Sequence, residues 1–110
     1  MPTDVRVVLV TAPDAGVAER LVRGLVEEGV VACGNILSGV TSIYRWQGEV
    51  ERAGEALVVF KTTAAGAARL VERVPELHPY DVPEVLVLEV EAGHGPYLKW
   101  ISENVSADRG

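Results

Sequence analysis

A chain of 110 residues can bury one hydrophobic core but not two, so we expect a single domain over residues 1–110, with its core at about residues 5–104. The formal net charge of −6 arises from 16 acidic and 10 scattered basic residues, which makes nucleic acid and an anionic membrane surface poor partners. The single cysteine excludes an intrachain disulfide, and no apolar run reaches the ~18 residues of a membrane span, so the sequence predicts a cytoplasmic protein.

The first predicted elements are a strand and a helix. Residues 5–10 are almost continuously apolar and β-branched, which is typical of a strand covered on both faces, and residues 11–13 are predicted to end it. Asp14 is predicted to cap the helix, and Gly29 to end it in a left-handed conformation. The apolar positions between them recur at helical spacing and predict packing against the core: Ala18, Leu21, Val22, Leu25 and Val26.

A long hairpin is predicted next. Residues 40–46 are rich in β-branched and aromatic side chains, Gln47 and Gly48 suit a tight turn, and residues 49–61 predict the returning strand. At about 3.3 Å per residue, arms of roughly 13–16 residues would reach roughly 45 Å. The other predicted strands are less than half as long. The hairpin is therefore expected to outrun its own sheet and to have its tip covered by another molecule.

The second half of the chain predicts a helix, a strand and a final helix. Thr62 or Thr63 is expected to cap the second helix. Pro75, near the end of this helix, is expected to stop it early or to tighten its last turn. Residues 85–90 predict a strand, Pro96 fits the first position of a third helix, and residues 106–110 are expected to fray.

The predicted order βαββαβ plus a C-terminal helix indicates an α+β, ferredoxin-like split βαβ sandwich. Both crossover helices would cover one face of the sheet. The other face also carries apolar residues, and no remaining element is large enough to cover it. We therefore expect that the single chain is not the functional unit.

Candidate chemistry is sparse. Cys33 is the best soft metal ligand and His78 a possible second, although a lone cysteine is more often a small buried apolar residue. No zinc-ligand spacing and no nucleophile motif occurs, so we expect no preformed metal site in one chain and no enzyme. Six polar and aromatic residues are candidates for a cleft between copies or for interface packing: Tyr44, Trp46, Lys61, Tyr80, Glu84 and Trp100. For the two charged residues, Lys61 and Glu84, an ion pair is the alternative role.

Five motifs together resemble the CutA divalent-cation tolerance family. They are ACGNI at residues 32–36, GVTSIYRWQGEV at 39–50, KTT at 61–63, ELHPYDVPE at 76–84 and YLKWI at 97–101. Their order and spacing follow the family over nearly the whole chain. The sequence departs from the family at two positions. Gly34 stands where the family commonly has valine, and its small size is expected to loosen the packing around Cys33. Pro75 interrupts a segment that is usually helical in the family.

The resemblance implies a ferredoxin-like protomer in a homotrimer like that of PII signalling proteins, and a link to tolerance of divalent cations, copper especially. Two interpretations stay open. The first is a trimeric metal-binding or metal-response protein that holds a divalent metal or copper ion through Cys33 and His78. The alternative is a PII-like sensor or scaffold that binds a small anion or an unidentified protein partner in clefts between subunits.

Overall fold

The computed structural model describes residues 3–106. Its elements are β1 Val5–Ala12, α1 Ala15–Glu27, β2 Cys33–Trp46, β3 Glu49–Thr63, α2 Ala64–Leu77, β4 Leu86–Glu89 and α3 Gly95–Glu103. The strands form one antiparallel sheet in the order β2-β3-β1-β4. This arrangement confirms the predicted βαββαβ fold with an additional C-terminal helix.

One face of the sheet is covered by α1 and α2. The apolar stripes of both helices meet alternate residues of β1 and β3, and Val8, Val58 and Phe60 are fully buried between the layers. Asp14 caps α1 as predicted, since its carboxylate accepts the Val17 N–H at 2.8 Å. Thr63 caps α2 in the same way. A smaller buried cluster joins α3 to the start of β1 through Ile101 and Val5.

The hairpin of β2 and β3 projects beyond the rest of the sheet, as predicted. β1 pairs with β3 only as far as Ala56, so the remaining residues of β3 pair with β2 alone. We call residues 40–55 the distal hairpin. Its tight turn has positive φ at Gln47 (51°) and Gly48 (84°). An irregularity at residues 38–39 shifts the register of β2 against β3 at the base of the distal hairpin.

Several predicted boundaries are wrong. β1 continues through Thr11 to Ala12 because the long β3 offers pairing partners there, so β1 is more than half as long as β2. β4 is shorter than predicted, at Leu86–Glu89, and Pro96 is the second residue of α3.

α2 also departs from its prediction. It neither stops early nor tightens at Pro75: the helix continues to Leu77, and the N–H of His78 donates to the Val74 carbonyl, four residues back, at 2.9 Å. Ser106 is not frayed, since its N–H donates to the Gly29 carbonyl at 2.8 Å and its own carbonyl accepts from Arg69. The rest of that prediction, on residues 107–110, lies outside the described residues.

Gly34 tightens the packing near Cys33 and does not loosen it. A Cβ at this position would lie 3.0 Å from both methyl groups of Val22 and 3.1 Å from the Phe60 ring. Glycine therefore lets α1 approach the start of β2 closely, and the expectation of looser packing is wrong.

The opposite face of the sheet, which we call the open face, carries several apolar side chains in adjacent rows. Because successive strand residues point to opposite faces, the neighbours of the buried core positions lie here. The register aligns Leu86 with Leu9 and Leu9 with Val59, and in the same way Leu37 with Leu57. Leu37, Leu86 and Leu88 are exposed.

Candidate functional site

A cavity of about 540 Å³ lies between the distal hairpin and the segment that links α2 to β4. We call it the distal cavity. Four of the predicted cleft residues come together in its lining, which consists of Thr11, Ser42, Ile43, Tyr44, Trp46, Glu55, Tyr80, Asp81, Val82 and Glu84. Strand β2 supplies two aromatic walls, and the linking segment supplies the opposite wall.

A hydrogen bond joins two of the lining residues of the cavity. The Tyr80 hydroxyl donates to Glu55 Oε2 at 2.8 Å. Burial and this bond raise the pKa of Tyr80 to about 12, so the phenol keeps its proton at neutral pH. Tyr80 therefore fixes one carboxylate oxygen of Glu55 and ties the linking segment to β3.

His78 positions the linking segment. It is buried, and its Nε2 lies 2.7 Å from the Thr11 carbonyl oxygen, which can only accept, so Nε2–H is the donor. Nδ1 accepts the backbone N–H of Tyr80 at 3.1 Å, and the two rings lie 4.8 Å apart. Both ring nitrogens of His78 are thus occupied within the chain.

The distal cavity is acidic. Glu55, Asp81 and Glu84 line it, and within residues 3–106 no lysine or arginine does. The four ion pairs of that same range also leave these three carboxylates out. Burial raises the pKa of Glu84, and the nearby charge of Glu55 raises it further, so the two carboxylates repel each other without a cation between them.

The other predicted site residues lie at the far end of β2. Cys33 is half-buried, and its Sγ lies 3.9 Å from the Tyr97 hydroxyl. Burial raises the pKa of Tyr97, and the contact with Cys33 raises it further. Tyr97 stacks on Trp100 with ring centroids 5.7 Å apart.

Lys61 also belongs to this end of the sheet. It pairs with Cys33 across the strands, and its Nζ donates to Asn35 Oδ1. From Cys33 to Tyr44 the strand covers about 36 Å at 3.3 Å per residue. The structure therefore divides the predicted residues between two places: Tyr44, Trp46, Tyr80 and Glu84 in the distal cavity, and Cys33, Lys61 and Trp100 at the opposite end.

Sequence reasoning missed three residues: Glu55, Asp81 and Tyr97. Glu55 lies directly opposite Val40, just past the irregularity in β2, and this register sets which acidic residue of β3 reaches the cavity. Asp81 could have been found from its place beside Tyr80, and Tyr97 from its helical spacing to Trp100.

Among residues 3–106 no group of three or more His, Cys, Asp and Glu side chains is placed to hold a metal ion. Within that range Cys33 and His78 therefore belong to no such group of three ligands. None of the described helices is long and apolar enough to cross a membrane.

The profile of the family described as CutA1 divalent ion tolerance protein matches residues 6–104. The divalent-cation tolerance protein CutA of Thermus thermophilus is 50% identical over 98 residues, which cover 89% of this chain and 95% of that protein. The solved structure of CutA1 from Oryza sativa superposes with a TM-score of 0.93 at 34% identity, over 97% of this chain and 98% of the other. The periplasmic divalent cation tolerance protein CutA of Archaeoglobus fulgidus superposes with a TM-score of 0.89 at 31% identity, over 93% of this chain and 99% of the other.

Proposed function

The chain belongs to the CutA1 divalent ion tolerance protein family, and on that premise we propose that it is a cytoplasmic tolerance protein that works as a homotrimer and binds copper. The observation that carries the proposal is the apolar open face, which the described chain covers only at one end, where α3 packs on Val5. The half-buried free thiol of Cys33 favours a reducing compartment. The Archaeoglobus fulgidus relative, by contrast, is periplasmic.

The exposed apolar surface supports self-association. Leu37, Leu86 and Leu88 on the open face and Trp46 on the distal hairpin are all exposed in the single chain. Burying a leucine or an aromatic side chain fully is worth about 1.5–3 kcal/mol, so covering this surface would contribute substantially to assembly. A second copy of the chain presents the same apolar face and is the simplest partner.

The free edges of the sheet support a ring of copies. The 14-residue strand β2 forms one edge and the four-residue strand β4 forms the other. Pairing between two different edges is head-to-tail, and such contacts close into a ring when the rotation between copies permits. Three copies is the number that the family resemblance implies.

Sedimentation equilibrium tests the assembly. We expect a particle of three chains at micromolar concentration, with a midpoint of unfolding that rises with protein concentration because folding and association are coupled. A folded monomer at that concentration would contradict the proposal.

Cys33 is the proposed soft ligand for copper. Thiolates favour Cu(I) over harder divalent ions, and Cys33 is accessible enough to meet a metal ion. One thiolate cannot complete a coordination shell, so the remaining ligands would come from neighbouring copies or from solvent. His78 of the same chain is bonded to Thr11 and Tyr80 of the distal cavity, away from Cys33, so a histidine ligand would come from a neighbouring copy and would give up one of its two present hydrogen bonds.

A competition titration with Cu(I) tests the metal proposal on the wild type and on Cys33→Ser, with the particle mass measured for both. We expect the serine variant to keep the wild-type mass and to bind Cu(I) more weakly. Uptake by the wild type should also weaken as the pH falls, since the thiol must lose its proton. Equal affinity of the two proteins would remove Cys33 from the site.

The distal cavity favours a second function, ligand binding in a cleft at a boundary between copies. It adjoins the distal hairpin, which we propose a neighbouring copy covers. Its three carboxylates make a small anion an unfavourable ligand. We therefore propose that copies of the chain bind a ligand in this cleft, as in the PII-like interpretation, but that the ligand is not a small anion.

A further inference from the structure

We propose that the distal cavity binds an organic ammonium ion, with the aromatic rings of Tyr44, Trp46 and Tyr80 against the cation and Glu55 and Glu84 neutralising its charge. This deepens the second function proposed above and rests on it, because it names the class of ligand for the same cavity. Charge, walls and size support it independently.

The charge of the cavity calls for a cation. Three carboxylates line it, and within the described residues 3–106 neither a basic lining residue nor an ion pair neutralises them. Glu55 accepts one hydrogen bond from Tyr80, which leaves its other oxygen and both oxygens of Glu84 for a ligand. A cation between Glu55 and Glu84 would relieve their repulsion, which contributes to the raised pKa of Glu84.

The walls favour an organic cation. Tyr44 and Trp46 both expose large ring surfaces in the protomer, and Tyr80 faces them from the linking segment. A positive charge within about 6 Å of such rings gains about 0.5–2 kcal/mol, and several rings around one ammonium group form the arrangement that recognises quaternary ammonium ligands.

The size and the donor set disfavour a bare metal ion. A volume of about 540 Å³ lies within the range of small-molecule sites, roughly 300–1,000 Å³, and far exceeds what one ion fills. No group of three or more metal-ligating side chains is assembled within residues 3–106, and the cavity falls inside that range. An ammonium ion needs no such coordination shell.

The experiment compares two probes of equal shape by isothermal titration: choline, and the uncharged alcohol in which a carbon atom replaces the nitrogen of choline. We expect choline to bind about tenfold or more tightly than the alcohol, because only choline gains from the carboxylates and the ring faces. Equal binding of the two probes, or binding of neither, would overturn the proposal.

Two variants locate the site. Glu84→Gln should weaken choline binding about tenfold and leave binding of the alcohol unchanged, whereas Glu72→Gln makes the same charge change on the exposed surface of α2 and should leave both unchanged. A choline affinity that is unchanged in Glu84→Gln, or that falls equally in both variants, would overturn the assignment. The particle mass and the far-ultraviolet circular dichroism spectrum of each variant check that it folds and assembles.

The outcome is separable from that of the assembly and copper proposals. A trimer that binds Cu(I) through Cys33 but does not prefer choline refutes the ammonium site alone. A monomer that prefers choline and depends on Glu84 supports the ammonium site and refutes the trimer.

Discussion

The two faces of the sheet differ in what covers their apolar side chains. Behind α1 and α2, Val8, Val58 and Phe60 are fully buried, whereas on the open face Leu37, Leu86 and Leu88 expose 48%, 53% and 46% of their surface. The covered face is finished by helices of the same chain. Within the described residues α3 covers only one end of the open face, beside Val5, and we propose that other copies cover the rest of it and the distal hairpin. The helices of the chain thus account for one face, and the proposed assembly would account for the other.

The largest effect is expected on the covered face. Phe60→Ala removes the largest fully buried side chain and should lower the free energy of unfolding by ~3–5 kcal/mol. The folded fraction should still have the wild-type particle mass, because Phe60 faces the helices. Urea unfolding followed by circular dichroism measures the loss, and a loss below about 1 kcal/mol would show that this core is poorly packed.

A smaller loss is expected when the close approach of α1 is blocked. Gly34→Val would push against Val22 and Phe60 and should lower the free energy of unfolding by ~1–3 kcal/mol. Adding Val22→Ala makes room for the new side chain, so the double variant should recover part of the loss. A single variant as stable as the wild type would show that α1 shifts without cost.

Two leucines of similar exposure test the two sides of the molecule against each other. Leu88 on the open face exposes 46% and Leu77 at the end of α2 exposes 40%. Leu88→Ala should weaken association by about 1 kcal/mol per copy, while Leu77→Ala, the matched control, should leave association unchanged. Sedimentation of diluted samples measures both. Equal effects of the two substitutions would remove the distinction between the faces.

The smallest effect is expected on the outer surface of the helices. The hydrogen bond from Arg73, with Nη2 2.8 Å from Glu28 Oε2, holds the pKa of Glu28 below its usual value, and burial offsets it only partly. A carboxyl whose pKa is lowered by folding stabilises the protein above its unfolded-state pKa, and that contribution is lost as the pH falls through the folded-state pKa.

Glu28→Gln should therefore lower the urea midpoint slightly at neutral pH and not at strongly acidic pH, where the wild-type carboxyl is also uncharged. The effect is small because both side chains are solvent-accessible. Urea titrations of the two proteins at both pH values measure it. A difference that persists at acidic pH would mean that the glutamine disturbs packing and not charge.

Sequence reasoning was most reliable where the physical cause is local. The Asp14 cap and the Gln47-Gly48 turn follow from a few adjacent residues, and both are confirmed. Residues 44, 46, 80 and 84 were grouped as cleft candidates and do share one cavity.

The misses depend on register and tertiary context. Glu55 reaches the cavity through its cross-strand register just past the irregularity in β2, which composition does not reveal. Lys61 and Trp100, predicted for a cleft or interface between copies, do not line the cavity; Lys61 lies six residues along β3 from Glu55, about 20 Å at 3.3 Å per residue. Pro75 was predicted to stop α2 early or tighten its last turn, whereas the helical hydrogen bond from the His78 N–H to the Val74 carbonyl persists past it.

Amide hydrogen exchange of the wild-type protein at micromolar concentration tests most directly whether neighbouring copies cover the open face and the distal hairpin. If neighbouring copies cover the distal hairpin, backbone amides of residues 40–55 should exchange as slowly as those of β1, through global unfolding alone. If the hairpin is uncovered, these amides should exchange orders of magnitude faster than β1, because half of each strand's N–H groups would face water. Fast exchange in a particle of three chains would contradict the proposed assembly through the hairpin.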